Sequence, residues 1–226
     1  MNFEDLKKQT VKKVLLRGKS GRGKTHTSAE IALEVSMAGG RVLYLDTEAE
    51  GSTTMVAMVE DGDTPYSPED VENIEYVRAN DYTTMQEYLH AHDGMHEEFD
   101  LIIVDTLDHK HSYVLKHVTD EKRDSGADWN EYATIYSEEK ELMEQLGKPK
   151  TNILATLDPE SGSMDKPKGA QTNIHGYFTI VVDLKQKGDE RSHQIRNWVN
   201  RDDLMGKKVP DLEEALVESL TEAMDL

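Results

Sequence analysis

The chain has no cysteine among its 226 residues. This absence excludes disulfide bonds, thiolate zinc sites and cysteine nucleophiles, and it is typical of an intracellular protein. No apolar run approaches the roughly 18 residues that a membrane-spanning helix needs, and the first residues lack the basic-then-apolar pattern of a secretory signal. We therefore expect no membrane partner and a cytoplasmic location.

Basic residues are also scarce. Lysine and arginine number 26 against 45 aspartate and glutamate residues, so the formal net charge is −19. That charge argues against a protein that coats nucleic acid over its whole surface, although a local basic site is compatible with it. Because an acidic surface keeps proteins soluble at high salt, a high-salt host is one interpretation and a merely acidic protein is the other.

Length and composition indicate one globular unit. Hydrophobic residues make up 36% of the sequence and charged residues 31%, which is polar but not the composition of a disordered chain. A chain of this length suits one α/β domain with a real core. We predict a single domain over residues 1–226, with a core over about 11–200 and a C-terminal acidic helix over about 210–225.

The strongest motif is a glycine-rich run that fits the P-loop pattern G-x-x-x-x-G-K-[ST]. Its glycines let the backbone wrap closely around a phosphate chain, so that consecutive N–H groups point inward. Lys24 can reach the β- and γ-phosphates, and the Thr25 hydroxyl can ligate Mg²⁺. We assign nucleotide binding to this run and the residue after it: Gly18, Lys19, Ser20, Gly21, Arg22, Gly23, Lys24, Thr25 and His26.

The segments on either side of the P-loop match what the motif requires. Residues 11–17 are short and β-branched, as expected of a strand, and residues 25–38 are rich in Ala, Ile, Leu and Val, as expected of a helix. Gly39-Gly40 would end that helix, and a second strand follows over 41–46. Strand, helix and strand form one βαβ unit, which implies parallel pairing with a right-handed crossover.

Acidic residues follow the second strand in the run Asp46-Thr47-Glu48-Ala49-Glu50. Ligands of parallel sheets bind beyond the carboxyl ends of the strands, so these acids should lie beside the γ-phosphate. A carboxylate there can orient and deprotonate the attacking water. We assign this role to Glu48, with Glu50 as the second choice; the alternative is that both are solvated loop acids.

A second strong pattern is the apolar run Leu101–Val104 followed by Asp105, which is the Walker B arrangement. Asp105 would hold Mg²⁺ through a water molecule, across from Thr25. The alternative, a buried strand with a terminal cap, loses weight because this strand and the P-loop are two parts of one mechanism. The next run, residues 108–111, could coordinate metal or touch DNA, but we interpret it as a solvated loop.

The C-terminal half contains a long loop and a basic stretch. Residues 158–172 form a polar loop that leaves the sheet on the ligand side, and loops of this length are usually functional or disordered. Residues 177–184 and 192–199 are predicted to be strands that form a hairpin. Residues 185–208 carry seven Lys/Arg against four Asp/Glu, which favours contact with the phosphates of a neighbouring subunit or of nucleic acid; the alternative is a solvated hairpin.

The P-loop, the run Asp46-Thr47-Glu48 and the strand Leu101–Asp105 occur in an order that resembles the RecA/RadA-like ATPases, over roughly residues 11–200. Among these, the chain looks most like the short, phage-type RecA-like nucleotide-binding proteins, some of which act in single-strand annealing and recombination. The resemblance implies an α/β P-loop NTPase with a mostly parallel, RecA-like central sheet flanked by helices, followed by a C-terminal β-hairpin and helix.

The resemblance also implies an activity and partners. ATP and Mg²⁺ would be the cofactors, with Lys24, Glu48 and Asp105 as catalytic residues and Thr25 and Asp105 as metal ligands. The chain would be a hydrolase in DNA recombination, single-strand annealing or replication, and in the host cytoplasm if it is viral or phage-type. Single-stranded DNA and further copies of the chain would be its partners, with turnover stimulated by DNA.

The chain departs from the RecA/RadA-like pattern at one position. That family often has Gln or His as a phosphate sensor at the end of the strand that here holds Thr156, and this sequence has Thr156-Leu157-Asp158 instead. The resemblance also implies a cation that acts across a subunit interface. Arg196 and Arg201 are the candidates.

A second resemblance is to the partition ATPases of the ParA/MinD type. Lys19 stands where that family carries its signature lysine in G-K-G-G-x-G-K-T, and the spacing from Lys24 to Asp46 is similar. Ser20 replaces a glycine of that motif, and Glu48 stands where an Asp would be. This resemblance implies a dimeric switch in which Lys19 contacts the partner's nucleotide. A third alternative is a nucleotide-gated binding module.

Overall fold

The computed structural model describes residues 11–90, 98–119, 129–147, 151–158, 177–187, 190–198, 206, 208–209 and 216. Three of the features predicted above lie largely outside these ranges: the polar loop beyond residue 158, Arg201, and the C-terminal acidic helix. Of that helix the structure describes Leu216, which is helical and fully buried.

An eight-stranded sheet forms the centre of the described fold. In chain order its strands are β1 (Lys13–Arg17), β2 (Val42–Asp46), β3 (Ile74–Arg78), β4 (Leu101–Asp105), β5 (Asn152–Leu157), β6 (Ile180–Lys187), β7 (Glu190–Trp198) and β8 (Lys208–Val209). They lie side by side in the order β3-β2-β4-β5-β1-β6-β7-β8. All neighbours from β3 to β6 are parallel, whereas β7 and β8 are antiparallel.

Helices cover both faces of the sheet. They are α1 (Lys24–Met37), α2 (Gly51–Glu60), α3 (Tyr82–His90), α4 (Lys110–Thr119) and α5 (Trp129–Gly147), with short 3-10 turns at Pro68–Val71 and Leu107–His109. One hydrophobic cluster joins α1 and α2 to one face, and a second joins α3 and α5 to the other. The result is a three-layer α/β/α arrangement. None of the described helices combines the length and apolar character needed to cross a bilayer.

Burial on both faces explains the composition of the central strands. Every residue of β2 and of β4 is buried. In a parallel sheet with helices on both sides, each side chain of a strand faces a core, so strands such as Leu101–Val104 are uniformly apolar. The polar residues stand at the carboxyl ends, where β1, β2, β4 and β5 deliver the P-loop, Glu48, Asp105 and Asp158 to one edge of the sheet.

The structure has the predicted α/β architecture, including the parallel core and the hairpin of β6 and β7. Two helices differ from the sequence interpretation. We did not predict α2, whose Thr and Val residues have modest helix propensity; burial of Met55 and Met58 stabilises it instead. The predicted solvated loop at 108–111 is wrong in part, because α4 begins at Lys110.

The first residue of α2 offers a test of core packing. A Cβ on Gly51 would lie 2.6 Å from Cε1 of Tyr44, whose side chain is fully buried. We expect Gly51→Ala to lower the free energy of unfolding by roughly 1–3 kcal/mol, because a methyl group forced against a buried ring displaces it. Urea unfolding followed by circular dichroism measures this change.

Gly62→Ala is the matched control, since a Cβ on Gly62 would meet nothing within 4 Å. Its unfolding free energy should stay within about 1 kcal/mol of wild type. Equal losses in the two variants would contradict the packing argument.

Candidate nucleotide-binding site

The P-loop, Gly18–Thr25, connects β1 to α1. Its first glycine donates an N–H hydrogen bond to the Leu157 carbonyl at 3.0 Å, which ties the loop to the end of β5. A Cβ on Gly18 would approach Cβ of Leu184 to 3.1 Å, so this position leaves little space for a side chain. Gly21 and Gly23 have φ of 74° and 88°, a left-handed conformation that glycine adopts without strain.

The end of the P-loop opens α1 without a side-chain cap. Gly23 occupies the N-cap position and no side chain accepts a hydrogen bond there. The first-turn N–H groups of a helix have no intrahelical partner, so an uncapped start is suited to an anion. Lys24 Nζ donates to the Gly18 carbonyl at 2.9 Å and thereby bridges the loop. His26 lies in the same first turn with its side chain exposed.

Asp105, at the end of β4, is only 3% exposed and is surrounded by hydroxyl groups. Thr156 donates to Oδ1 at 2.5 Å, and Tyr44 donates to Oδ2 at 2.9 Å. Burial raises the pKa of the Asp105 carboxyl, and the hydrogen bonds from Thr156, Tyr44 and Thr25 oppose that rise. Burial alone would favour the protonated acid, so these hydroxyls stabilise the carboxylate.

The predicted magnesium ligands fit a hard cation. Thr25 is among the groups that lower the pKa of the Asp105 carboxyl, so the hydroxyl on the P-loop lies near the carboxylate on β4. Mg²⁺ prefers oxygen ligands and is usually held by one or two protein groups, with water and phosphate oxygens completing the octahedron. Within the described ranges no cluster of three or more His, Cys, Asp or Glu side chains forms a metal site.

The loop after β2 is shaped by Asp46. This carboxylate is fully buried and accepts N–H bonds from Glu48 at 2.9 Å and Ala49 at 2.6 Å through Oδ1. Its Oδ2 accepts from Gly51 N at 2.7 Å and from the Tyr76 hydroxyl at 2.7 Å. Four hydrogen bonds on one side chain hold the turn, in which Ala49 has φ of 63°. The turn directs Glu48 away from the core.

Glu48 lies at the surface of the site, with its side chain 38% exposed. Its Oε1 is 3.2 Å from His109 Nε2, and the imidazole stacks on Tyr113 at 5.7 Å between ring centroids. Desolvation raises the pKa of the Glu48 carboxyl, and the hydrogen bond from His109 partly offsets the shift. The second choice for the base, Glu50, is an exposed residue that precedes α2.

The contact between His109 and Glu48 was not predicted from the sequence. We interpreted the segment of His109 as a solvated loop, but the turn Leu107–His109 follows directly from β4 and places the imidazole against Glu48. The Tyr113 hydroxyl also donates to the Thr47 carbonyl at 3.1 Å, so α4 braces the loop after β2. The available signal was position: residues just after a strand carboxyl end in a parallel sheet lie at the ligand edge.

A further link joins the P-loop to the other strand ends. The Asp158 carboxylate accepts the Ser20 N–H at 2.8 Å, and the Asp158 N–H donates to both Asp108 oxygens at 3.0 Å. Asp108 in turn accepts the Thr106 hydroxyl at 2.6 Å. Thr156 stands where RecA/RadA-like ATPases often carry a Gln or His phosphate sensor. Two residues later, Asp158 contacts the P-loop.

The remaining assigned residues occupy two places. Lys19, Ser20 and Gly21 are exposed at the tip of the P-loop, and Arg22 is half-buried. Arg196, a candidate for action across subunits, lies on β7 and donates from Nε to Asp183 Oδ2 at 2.5 Å. This ion pair holds Arg196 against its own sheet, although its side chain is 59% exposed.

Comparison with known proteins agrees with this architecture. The family model described as AAA domain matches residues 10–197. The crystal structure of the RadB recombinase superposes with a TM-score of 0.56 at 18% identity, covering 87% of this chain and 84% of that one. In all, 416 chains of solved structures match, so the fold is shared too widely to specify a role by itself. No curated protein sequence matches the chain.

These matches confirm the predicted RecA-like P-loop architecture. The closer similarity to short phage-type proteins stays a prediction, as do the roles of the individual site residues.

The turn around Asp46 gives the site its first test. We expect Asp46→Asn to lower the free energy of unfolding by about 1–3 kcal/mol, because an amide cannot accept from all four donors and leaves buried groups unsatisfied. Thermal unfolding measures the loss. Asp63→Asn, at an exposed loop position, is the control and should match wild type. Wild-type stability of Asp46→Asn would show that the four hydrogen bonds contribute little.

Proposed function

Because the chain belongs to the AAA domain family and has a RecA-like P-loop fold, we propose that it binds MgATP and hydrolyses it in DNA recombination or single-strand annealing. The observation that carries the proposal is the P-loop geometry: left-handed Gly21 and Gly23 lead into the uncapped start of α1, and Ser28 in that helix donates to the Asp105 carboxylate at 3.5 Å. A hydroxyl on the P-loop and an acid on a neighbouring strand end are the two protein groups that P-loop NTPases use for Mg²⁺.

Each predicted residue has a chemical task in this scheme. The phosphates are bound by the N–H groups at the uncapped start of α1 and by those of the P-loop, apart from Gly18 and Arg22, which donate to backbone carbonyls. Lys24 moves from the Gly18 carbonyl to the β- and γ-phosphate oxygens. Thr25 and Asp105 would hold Mg²⁺, which would supply positive charge beside the transferred phosphoryl group.

Glu48 is the proposed general base. Its carboxylate stands beyond the carboxyl end of β2, which neighbours β4 in the sheet, and its exposed side chain is accessible to water. The contact with His109 uses Oε1 of Glu48 and thereby fixes the orientation of the carboxylate, including Oε2. In this role Oε2 orients the attacking water and accepts its proton.

The DNA and oligomer parts of the proposal have separate support. The RadB recombinase is among the proteins of similar structure, and Lys185 and Arg196 of the basic stretch are exposed on the β6–β7 hairpin. A cation supplied by a second copy would stabilise charge in the transition state. We therefore propose that the chain oligomerises on single-stranded DNA.

The base assignment is tested by Glu48→Gln. We expect ATP binding to persist and turnover to fall by about 10²–10⁴-fold, because glutamine keeps the shape but cannot accept a proton. ATP hydrolysis and titration of a fluorescent ATP analogue measure the two properties separately. Lys24→Ala is the companion variant and should abolish binding itself. Normal hydrolysis by Glu48→Gln would show that the base lies elsewhere.

The DNA role is tested by measuring ATP hydrolysis with and without single-stranded DNA across a salt series. We expect stimulation that declines steeply as salt rises, since phosphate contacts release counterions. Glu48→Gln, measured with DNA, controls for a contaminating ATPase.

Turnover indifferent to DNA at every salt concentration would contradict the recombination role and favour the ParA/MinD-type switch. Lys19, exposed at the P-loop tip, then separates the alternatives. An ATP-dependent dimer, detected by light scattering and lost in Lys19→Ala, supports the switch. Binding of ATP without turnover supports the nucleotide-gated module.

A further inference from the structure

Asp158 places a negative charge on the loop that is built to bind negative charge. Its carboxylate Oδ2 accepts the Ser20 N–H at 2.8 Å. Ser20 belongs to the P-loop, whose backbone N–H groups form the cradle for phosphate oxygens. A carboxylate and a phosphate oxygen are both anionic acceptors, so the two compete for the same donor.

The topology places Asp158 at the carboxyl ends of the central strands, where the terminal phosphate of a nucleotide would lie. Asp158 directly follows β5, and β5 lies between the P-loop strand β1 and the Asp105 strand β4. The Gly18 N–H bond to the Leu157 carbonyl holds the end of β5 against the start of the P-loop. The γ-phosphate must lie between the P-loop and the groups on β2 and β4, which is the side that Asp158 occupies.

Asp158 is also connected to the strand that carries the proposed metal ligand. Its own N–H donates to both oxygens of Asp108, three residues after Asp105. Asp108 precedes His109, which contacts Glu48. Asp158 is thus linked, through Asp108, to the turn whose His109 contacts the proposed base.

We propose that Asp158 is an internal anionic competitor for the nucleotide, which holds the Ser20 N–H in the free protein and is displaced by the γ-phosphate. The proposal rests on the proposed nucleotide binding and adds a determinant of affinity to it. Asp158 lowers the affinity for nucleoside triphosphate more than for diphosphate, because the diphosphate lacks the charge that Asp158 opposes. The residue thereby sets the preference of the site between ATP and ADP.

The test is the affinity of Asp158→Asn for ATP and for ADP, measured by isothermal titration calorimetry. Asparagine keeps an acceptor for the Ser20 N–H and removes the charge. We expect ATP to bind roughly three- to tenfold more tightly than to wild type, as removal of one opposing charge-assisted contact allows, and ADP to change by less than about twofold.

Asp100→Asn is the matched control. The Asp100 carboxylate accepts the Arg41 N–H at 2.8 Å, the same kind of bond, but just before β4 and β2 at the opposite edge of the sheet. Its affinities for ATP and ADP should equal those of wild type. Asp158→Glu keeps the charge and should also preserve the wild-type ratio of the two affinities.

Two outcomes overturn the proposal: ATP affinity that is unchanged or weaker in Asp158→Asn, and a gain in Asp158→Glu equal to that in Asp158→Asn. The second would show that charge is not the cause. Failure of the proposed function itself looks different, because wild type would then bind ATP no better than Lys24→Ala. If wild type binds ATP and Lys24→Ala does not, the proposed nucleotide binding holds regardless of the results for Asp158.

Discussion

Two carboxylates are buried side by side where β2 and β4 end, and the geometry of the site depends on how their charges are accommodated. Asp46 and Asp105 are cross-strand partners and are exposed by no more than 3%. Removing a carboxylate from water is costly unless hydrogen bonds replace the lost hydration, and two neighbouring like charges add repulsion. The surrounding residues therefore have to supply donors to both acids, and in doing so they are fixed in place.

The two acids receive different donors and so have different consequences. Asp46 takes most of its hydrogen bonds from backbone N–H groups, which turns the chain after β2 and presents Glu48 outward. Asp105 is hydrogen-bonded by the side-chain hydroxyls of Thr156 and Tyr44 instead. A carboxylate held by hydroxyls keeps lone pairs that a cation or its water can use. Asp46 thus shapes the loop after β2, whereas Asp105 faces the candidate site.

Core packing and site geometry are coupled through two tyrosines. Tyr44 and Tyr76 stack with ring centroids 6.0 Å apart, and their hydroxyls reach Asp105 and Asp46 respectively. The same Tyr44 ring leaves no room for a side chain at Gly51. A change in this packing therefore moves a carboxylate at the site. The charges farther out, Glu48 with His109 and Asp158 with the P-loop, lie nearer to solvent and can respond to a ligand.

Sequence patterns were enough to predict the P-loop, the strand that ends at Asp105 and the parallel core, because these depend on local spacing and on apolar runs that only a doubly covered sheet buries. Local pattern could not predict α2, since buried Met55 and Met58 override weak helix propensity. It also could not bring His109 to Glu48 or Asp158 to Ser20. Those residues are separated by 61 and 138 positions, and only the order of strands in the sheet makes them neighbours.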